Sequence, residues 1–166
     1  YERFILDLNH VEEKNIFELT ESKFHKIRAS IPRAVFEENS SMGVTKMGTD
    51  IQVTVDKFPK LLEIYKRFSN LGIRYNLFGH FGDAHLHFNF MPKNTDIESC
   101  QKQFKKMYDE VAELKGSPFA EHGIGLIKQK YIKKFWNDNQ TNLFHELKKK
   151  YDPKSQFFPQ GYMNLK

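Results

Sequence analysis

Apolar positions change their spacing several times along this chain, and each change marks a predicted element. Phe17, Phe24, Ile27 and Ile31 fall seven, three and four apart, the spacing of one helical face, and Pro32 discourages its continuation. Past Gly43 the period shifts to two: Ile51, Val53 and Val55 alternate as a half-buried strand does. Asp56 reads as the N-cap of a helix whose inner face is Phe58, Leu61, Leu62, Tyr65 and Phe68, with Gly72 at its C-cap. Two strands follow, over residues 73–78 and 85–90, joined by a turn containing Gly79, Gly82 and Asp83. A long helix capped by Thr95 then buries Ile97, Phe104, Met107, Tyr108, Val111 and Leu114, and Gly116 stops it. A short extended piece over 117–120 leads to Gly123-Ile124-Gly125, two short helices (about 125–136 and 140–150) and an irregular tail after Asp152-Pro153.

From residue 50 the order is therefore strand, helix, strand, strand, helix, strand. That is the split βαβ arrangement: an α+β, ferredoxin-like fold with an antiparallel sheet, two helices on one face and extra terminal helices. The expected organisation is one domain over residues 1–166. An irregular and helical lead-in covers 1–45, the ferredoxin-like core 46–122, and terminal helices and tail 123–166. So many functions share this fold that it selects none by itself.

Composition narrows the field. The 16 Phe and 7 Tyr point to a core built on aromatics. A single cysteine, Cys100, excludes an internal disulfide framework and favours a reducing compartment, so the expected location is cytoplasmic or peripheral to a membrane. No apolar run approaches the roughly 20 residues a bilayer crossing requires. The chain opens at Tyr1 with neither Met nor a leader pattern, which reads as an internal fragment. The net charge of +5 is dispersed along helices, at Lys102, Lys105, Lys106, Lys128, Lys130, Lys133 and Lys134. The one compact run, Lys148 to Lys150, closes a helix where cations favour the dipole. A solvated face explains this pattern better than a nucleic-acid surface.

The chemistry concentrates in two segments. In Gly79-His80-Phe81-Gly82-Asp83-Ala84-His85-Leu86-His87-Phe88-Asn89, alternation puts His85, His87 and Asn89 on one face. Folding back at the Gly-rich turn is expected to bring His80 near His87, where two imidazoles can meet one cation; a polar turn with partly exposed histidines is the plainer reading. The second segment, Ala120-Glu121-His122-Gly123-Ile124-Gly125, follows the last strand of the same sheet, so Glu121 can offer a carboxylate to the same cation. His₂Glu with open positions suits a catalytic site, whereas an acidic residue in a loop leading into a helix also simply favours the dipole. Gly123 and Gly125 suggest close approach of the backbone.

Taken together, these segments resemble the C-terminal domain of the FAD-linked oxidases, the group of D-lactate dehydrogenases, glycolate oxidase and D-2-hydroxyglutarate dehydrogenase. GHFGDAHLHFN is similar to the family's GH-x-GD-x-x-LH-x-N, and AEHGIGLIKQKY to its EHGIG-x-x-K element. KKKYDPKSQFFPQGYM resembles the closing K-x-x-x-DP-x-x-x-x-NPG stretch, and MGTDIQVTVDKFPKLLEIY and FHKIRASIP resemble upstream segments, so the likeness spans roughly residues 24–163. It implies that His80, His87 and Glu121 ligate a divalent metal, zinc first, with iron or manganese as alternatives. It also implies that His122 is the catalytic base, that Asn89 contacts substrate, and that Arg28 and Lys46 clamp a carboxylate. The implied substrate is a 2-hydroxy acid, and the implied redox cofactor is FAD, bound by a domain N-terminal to this region. No Gly-rich phosphate-cradling loop occurs here, so the expectation is the substrate-and-metal half of such an enzyme, without its FAD-binding domain.

The chain also departs from the pattern. Ala84-His85 replaces the common Gly-Asn, which makes His85 either a third imidazole near the metal or, preferably, a surface strand residue. Ala120 replaces a frequent Gly, and Phe158-Pro159-Gln160 stands where the family has Asn-Pro-Gly. Two rival classes remain: a metal-dependent hydrolase, since His₂Glu also activates water, and a ferredoxin-like binding module without chemistry.

Overall fold

A computed structural model describes residues 11–44, 46–159 and 161. The lead-in expected over residues 1–10, and Gln160 and residues 162–166 of the closing motif, lie outside the described residues. The chain forms two compact units, Tyr1–Gly43 and Val44–Lys166.

The first unit holds one long helix, α1 (Glu21–Ser41), and a short 3-10 turn at Glu13–Asn15. Thr20 caps α1 by accepting the Lys23 N–H at 3.4 Å. Pro32 does not end the helix, contrary to the sequence expectation; it lies inside it. Pro32 removes one backbone bond and crowds the Arg28 carbonyl. Good helix formers on both sides (Glu21, Lys23, Lys26, Arg28, Arg33, Glu37, Glu38) nonetheless carry the helix across it. It closes at Met42, and Gly43 takes the left-handed φ of +61° that follows a helix end cheaply in glycine.

The second unit contains an open antiparallel sheet. Its strands are β1 (Met47–Gly48), β2 (Ile51–Gln52), β3 (Tyr75–His80) and β4 (His85–Phe90). Strand β4 is central: β3 pairs along one edge, and β1 and β2 pair along the other. The two short strands share one register along β4, so Thr49 and Asp50, between them, run opposite Phe88 and His87. Beyond β2, Gln52 and Ser117 exchange backbone bonds of 2.8 and 2.7 Å. The expected last strand over 117–120 is thus reduced to a bridge, because Pro118 has no N–H to extend the ladder. The spatial order (Ser117 bridge, β1/β2, β4, β3) is that of the split βαβ fold, and the class is α+β as the pattern predicted.

Helices α2 (Phe58–Ser69) and α3 (Ile97–Glu113) pack on one face of this sheet. Leu61, Tyr65 and Phe68 from α2 and Phe104, Met107, Tyr108 and Val111 from α3 meet Ile51, Leu86, Phe88 and Phe90. The contacts are largely ring on ring: Tyr65 stacks on Phe88 at 5.4 Å between centroids, and Phe90 lies 6.4 Å from Phe104. Each fully buried ring of this kind contributes about 1.5–3 kcal/mol. Asn70 rather than Gly72 caps the C-terminus of α2, and two N-caps also differ from expectation. A 3-10 turn, Val55–Lys57, precedes α2, so Asp56 sits within that turn and Lys57 is the N-cap; likewise Asn94–Asp96 precedes α3, and Asp96 replaces Thr95.

Three shorter elements close the unit: α4 (Gly125–Lys128), α5 (Ile132–Phe135) and α6 (Asp138–Tyr151), with a 3-10 turn at Gln129–Tyr131. Tyr131 packs edge-on against Tyr108 at 4.6 Å, and Phe135 lies 6.1 Å from the same ring. These aromatic contacts tether the segment after Glu121 to α3. A capping box of Asn137 and Gln140 starts α6. No helix among the described residues is long and apolar enough to cross a membrane.

Candidate functional site

Strand β4 divides its side chains. Leu86, Phe88 and Phe90 join the core beneath the helices. His85, His87 and Asn89 point to the opposite face, yet all six residues are buried. On that face, pairing sets His80 against His85, Phe78 against His87 and Asn76 against Asn89. Gly48, Asp50 and Gln52 border the other side. The sequence places His80 near His87; the 3-10 turn Phe81–Asp83 and left-handed Ala84 set the register so that His80 pairs with His85, one diagonal from His87. His80 and His87 are diagonal neighbours on one face, and Glu121 reaches both. Its Oε1 lies 3.8 Å from His80 Nε2 and its Oε2 3.4 Å from His87 Nε2. His122 Nε2 stands 3.8 Å from Oε2 of the same carboxylate.

The His87 ring is held from behind. Its Nδ1 lies 3.0 Å from the Thr49 carbonyl oxygen, which can only accept, so Nδ1 carries the hydrogen. The Thr49 hydroxyl accepts the Phe88 N–H at 2.9 Å while the Thr49 carbonyl serves the imidazole. Burial above all, helped by the charges His85 and His122 can carry, pushes the His87 pKa below its ordinary value against the opposing Thr49 bond. The neutral ring therefore presents the bare Nε2 lone pair to Glu121.

His85 is not a surface residue; its ring centroid lies 5.8 Å from that of His80 and 4.6 Å from that of His87. It is buried, and its Nε2 donates to Asp50 Oδ1 at 3.0 Å. Asp50, which the sequence reading gave no role, is 1% exposed and accepts five hydrogen bonds. Two come from the Glu121 N–H at 3.1 and 3.2 Å, one from the His122 N–H at 2.9 Å, and one from Lys128 Nζ at 2.9 Å. Burial alone would raise its pKa; the Lys128 ammonium and the His122 and Glu121 N–H groups outweigh that and hold it below the usual carboxylate value. Lys128, assigned from the sequence to a solvated face, is thus turned inward as the partner of Asp50. Two signals pointed to the pair. Asp50 alternates with the apolar Ile51 and Val53, and Lys128 is the lysine of the EHGIG-x-x-K element.

Gly123 and Gly125 also have a different reason from the one expected. Nothing lies within 4 Å of a Cβ built on either, so no close approach demands them; their φ values of +68° and +55° do. Close approach instead explains Gly48, where a Cβ would fall 2.6 Å from Asn89 Oδ1. Asn89 is buried there and donates from Nδ2 to Asn76 Oδ1 at 2.8 Å. Lys46 is exposed and lines a cavity of about 760 Å³ together with Gly48, His122, Ile124, Lys130 and Tyr131. Arg28 lies on α1 in the other compact unit.

Among the described residues, one group of four has ligand atoms mutually within 4.8 Å: Asp50, His87, Glu121 and His122. Both oxygens of Asp50 are already filled by N–H donors, so it offers a cation little; a carboxylate has about four lone-pair sites. His80, just outside that group, has its Nε2 turned to the same Glu121 carboxylate. Two imidazoles and one carboxylate with exposed flanks form a donor set that fits a divalent ion.

Comparison with known proteins gives a consistent picture. The family described as FAD linked oxidases, C-terminal domain, matches residues 13–161. A D-2-hydroxyglutarate dehydrogenase of Stutzerimonas stutzeri is 29% identical over 119 residues, covering 66% of this chain and 25% of its own length. The mitochondrial D-2-hydroxyglutarate dehydrogenase of Danio rerio is 32% identical over 107 residues, 63% of this chain and 20% of its own. A mitochondrial D-lactate dehydrogenase (cytochrome) of Kluyveromyces lactis is 25% identical over 107 residues, 64% and 19% respectively. The chain spans a quarter or less of the length of each of these relatives.

Proposed function

Because the chain belongs to the family of FAD linked oxidase C-terminal domains, we propose that it is the substrate- and metal-binding half of a flavin-dependent 2-hydroxy acid dehydrogenase. Its partners are the acid and an FAD-binding domain of the same parent protein. His80, His87 and Glu121 hold one divalent ion, zinc first, with iron or manganese also suited to mixed nitrogen and oxygen ligands. One observation carries this reading. With its hydrogen committed to Thr49, neutral His87 points the Nε2 lone pair at Glu121 Oε2 from 3.4 Å, and His80 Nε2 faces the same carboxylate. Acceptors converging without a proton between them repel, and a cation at their focus turns that repulsion into binding.

When bound, the ion supplies Lewis-acid polarisation of the acid's oxygens, and FAD supplies the acceptor for the hydride that leaves C2. This chain's own residues do the rest. His122, exposed beside Glu121, takes the hydroxyl proton on its imidazole nitrogen. Lys46 offers an ammonium to the substrate carboxylate from the cavity wall. Asn89, 1% exposed, holds Asn76 through its Nδ2 and abuts Gly48 of the cavity wall through its Oδ1, so it serves the substrate through that wall.

The test is a calorimetric Zn²⁺ titration of the chain beside His80→Ala and His87→Ala. One ion per chain is expected, with binding abolished in both variants. Unchanged stoichiometry and affinity in the two variants would reject the ligand set.

A further inference from the structure

We propose that Asp50 is the positioning residue that makes Glu121 and His122, neighbours in the chain, address one place. The inference rests on the metal reading above and deepens it. In extended backbone, consecutive side chains leave on opposite sides. Here both point the same way, with Glu121 Oε2 and His122 Nε2 3.8 Å apart. The device that holds them is the Asp50 carboxylate, which gathers both backbone N–H groups, Glu121 at 3.1 and 3.2 Å and His122 at 2.9 Å.

Asp50 can do this because its own position is fixed. It stands on the sheet opposite His87, 1% exposed, while Lys128 and His85 grip its oxygens from two further directions at 2.9 and 3.0 Å. The backbone carbonyl of Asp50 adds a third tie to the same loop by accepting the Ala120 N–H at 3.2 Å. Glu121 and His122 have side-chain exposures of 48% and 66%, and their own contacts are few: the His122 ring lies 5.2 Å from that of His87, and the Glu121 carboxylate meets only imidazoles among the described residues. Their direction is set from below. A carboxylate is required rather than an amide: the Glu121 and His122 N–H groups and the Lys128 ammonium can only donate and reach both oxygens, so an Asn NH₂ in either orientation would face one of them.

The experiment uses the 166-residue chain, with Zn²⁺ as the probe, in four forms: wild type, Asp50→Asn, Lys128→Met and His87→Ala. Zinc affinity is measured by calorimetry, fold by circular dichroism, and backbone amide exchange at residues 121 and 122 by NMR. Asp50→Asn is expected to keep its circular dichroism spectrum and lose roughly 10–100-fold in zinc affinity, the usual cost of removing a residue that orients a ligand. Its Glu121 and His122 amides should exchange much faster while those of β4 stay protected. Lys128→Met should move both readouts in the same direction by less, and decides the matter if Asp50→Asn does not fold. A folded Asp50→Asn with wild-type affinity and unchanged exchange at 121 and 122 overturns the proposal. If His87→Ala binds zinc like wild type, the ligand reading fails instead, and the amide exchange alone then decides for or against Asp50.

Discussion

Glu121 and His122 have nitrogen and oxygen atoms within 4 Å of each other, so either can be written as a ligand, and their variants separate the two accounts. In a full-length parent, Glu121→Ala is expected to lose metal and substrate affinity together. His122→Ala is expected to keep its metal and lose about 10²–10⁴-fold in the rate of flavin reduction, the scale of a general base. Rapid-mixing flavin reduction with metal analysis checks this; a His122→Ala enzyme stripped of metal would make His122 a ligand. Cys100 makes a different residue-scale prediction. Burial pushes its thiol up to about 11, so it is protonated at neutral pH and unreactive. Iodoacetamide should leave it unmodified in the native chain and label it fully in denaturant, as mass spectrometry will show. At this scale the motif made His80, His87, Glu121 and His122 legible, because each is a residue type that chemistry needs. Asp50 was not legible as an anchor: alternation turns it away from the apolar face, but its four donor residues, Glu121, His122, Lys128 and His85, lie far along the chain.

Among the elements, α6 ends in a turn held by one side chain. Asp152 accepts the Gln156 N–H at 2.7 Å and the Phe157 N–H at 3.0 Å and pairs with Lys148. Lys148 first, then those N–H groups, hold its pKa below the ordinary carboxylate value. The sign follows from that depression. The stabilisation is present above the unfolded pKa of about 3.9 and is lost as pH falls through the lower folded value. Thermal melts of wild type and Asp152→Asn should therefore differ at pH 7 and converge in acid; a gap that stays constant with pH would remove the charge from the explanation. Just beyond, Phe158 carries a left-handed φ of +53° where the family has Asn, which accepts that geometry more readily than Phe. Helix and strand identities were legible from periodicity, and β4 was found to the residue. Boundaries were not: Asp56 and Thr95 look like caps, but each sits inside a 3-10 turn that tightens the chain before its helix. Pro32 misled because propensity on both sides outweighs one lost bond.

For the molecule as a whole, the missing phosphate-cradling loop predicts that this chain, purified alone, is colourless. Flavin absorbance in stoichiometric amount would contradict the assignment of FAD to another domain. The strand order was legible because two helices and four extended pieces in this sequence have few ways to form one antiparallel sheet. The weakness of its fourth strand was not, since Pro118 limits that piece to the single Gln52–Ser117 bridge. That sheet has one more consequence. His87 stands on β4, hydrogen-bonded along both edges and expected to open only with the global unfolding of the domain, whereas Glu121 hangs on a loop. Half of the site thus belongs to the last part of the domain to unfold and half to one of the first. An ion held between them would leave by brief excursions of the loop rather than by unfolding of the sheet. Its residence time would follow how often the Asp50 tether lets go.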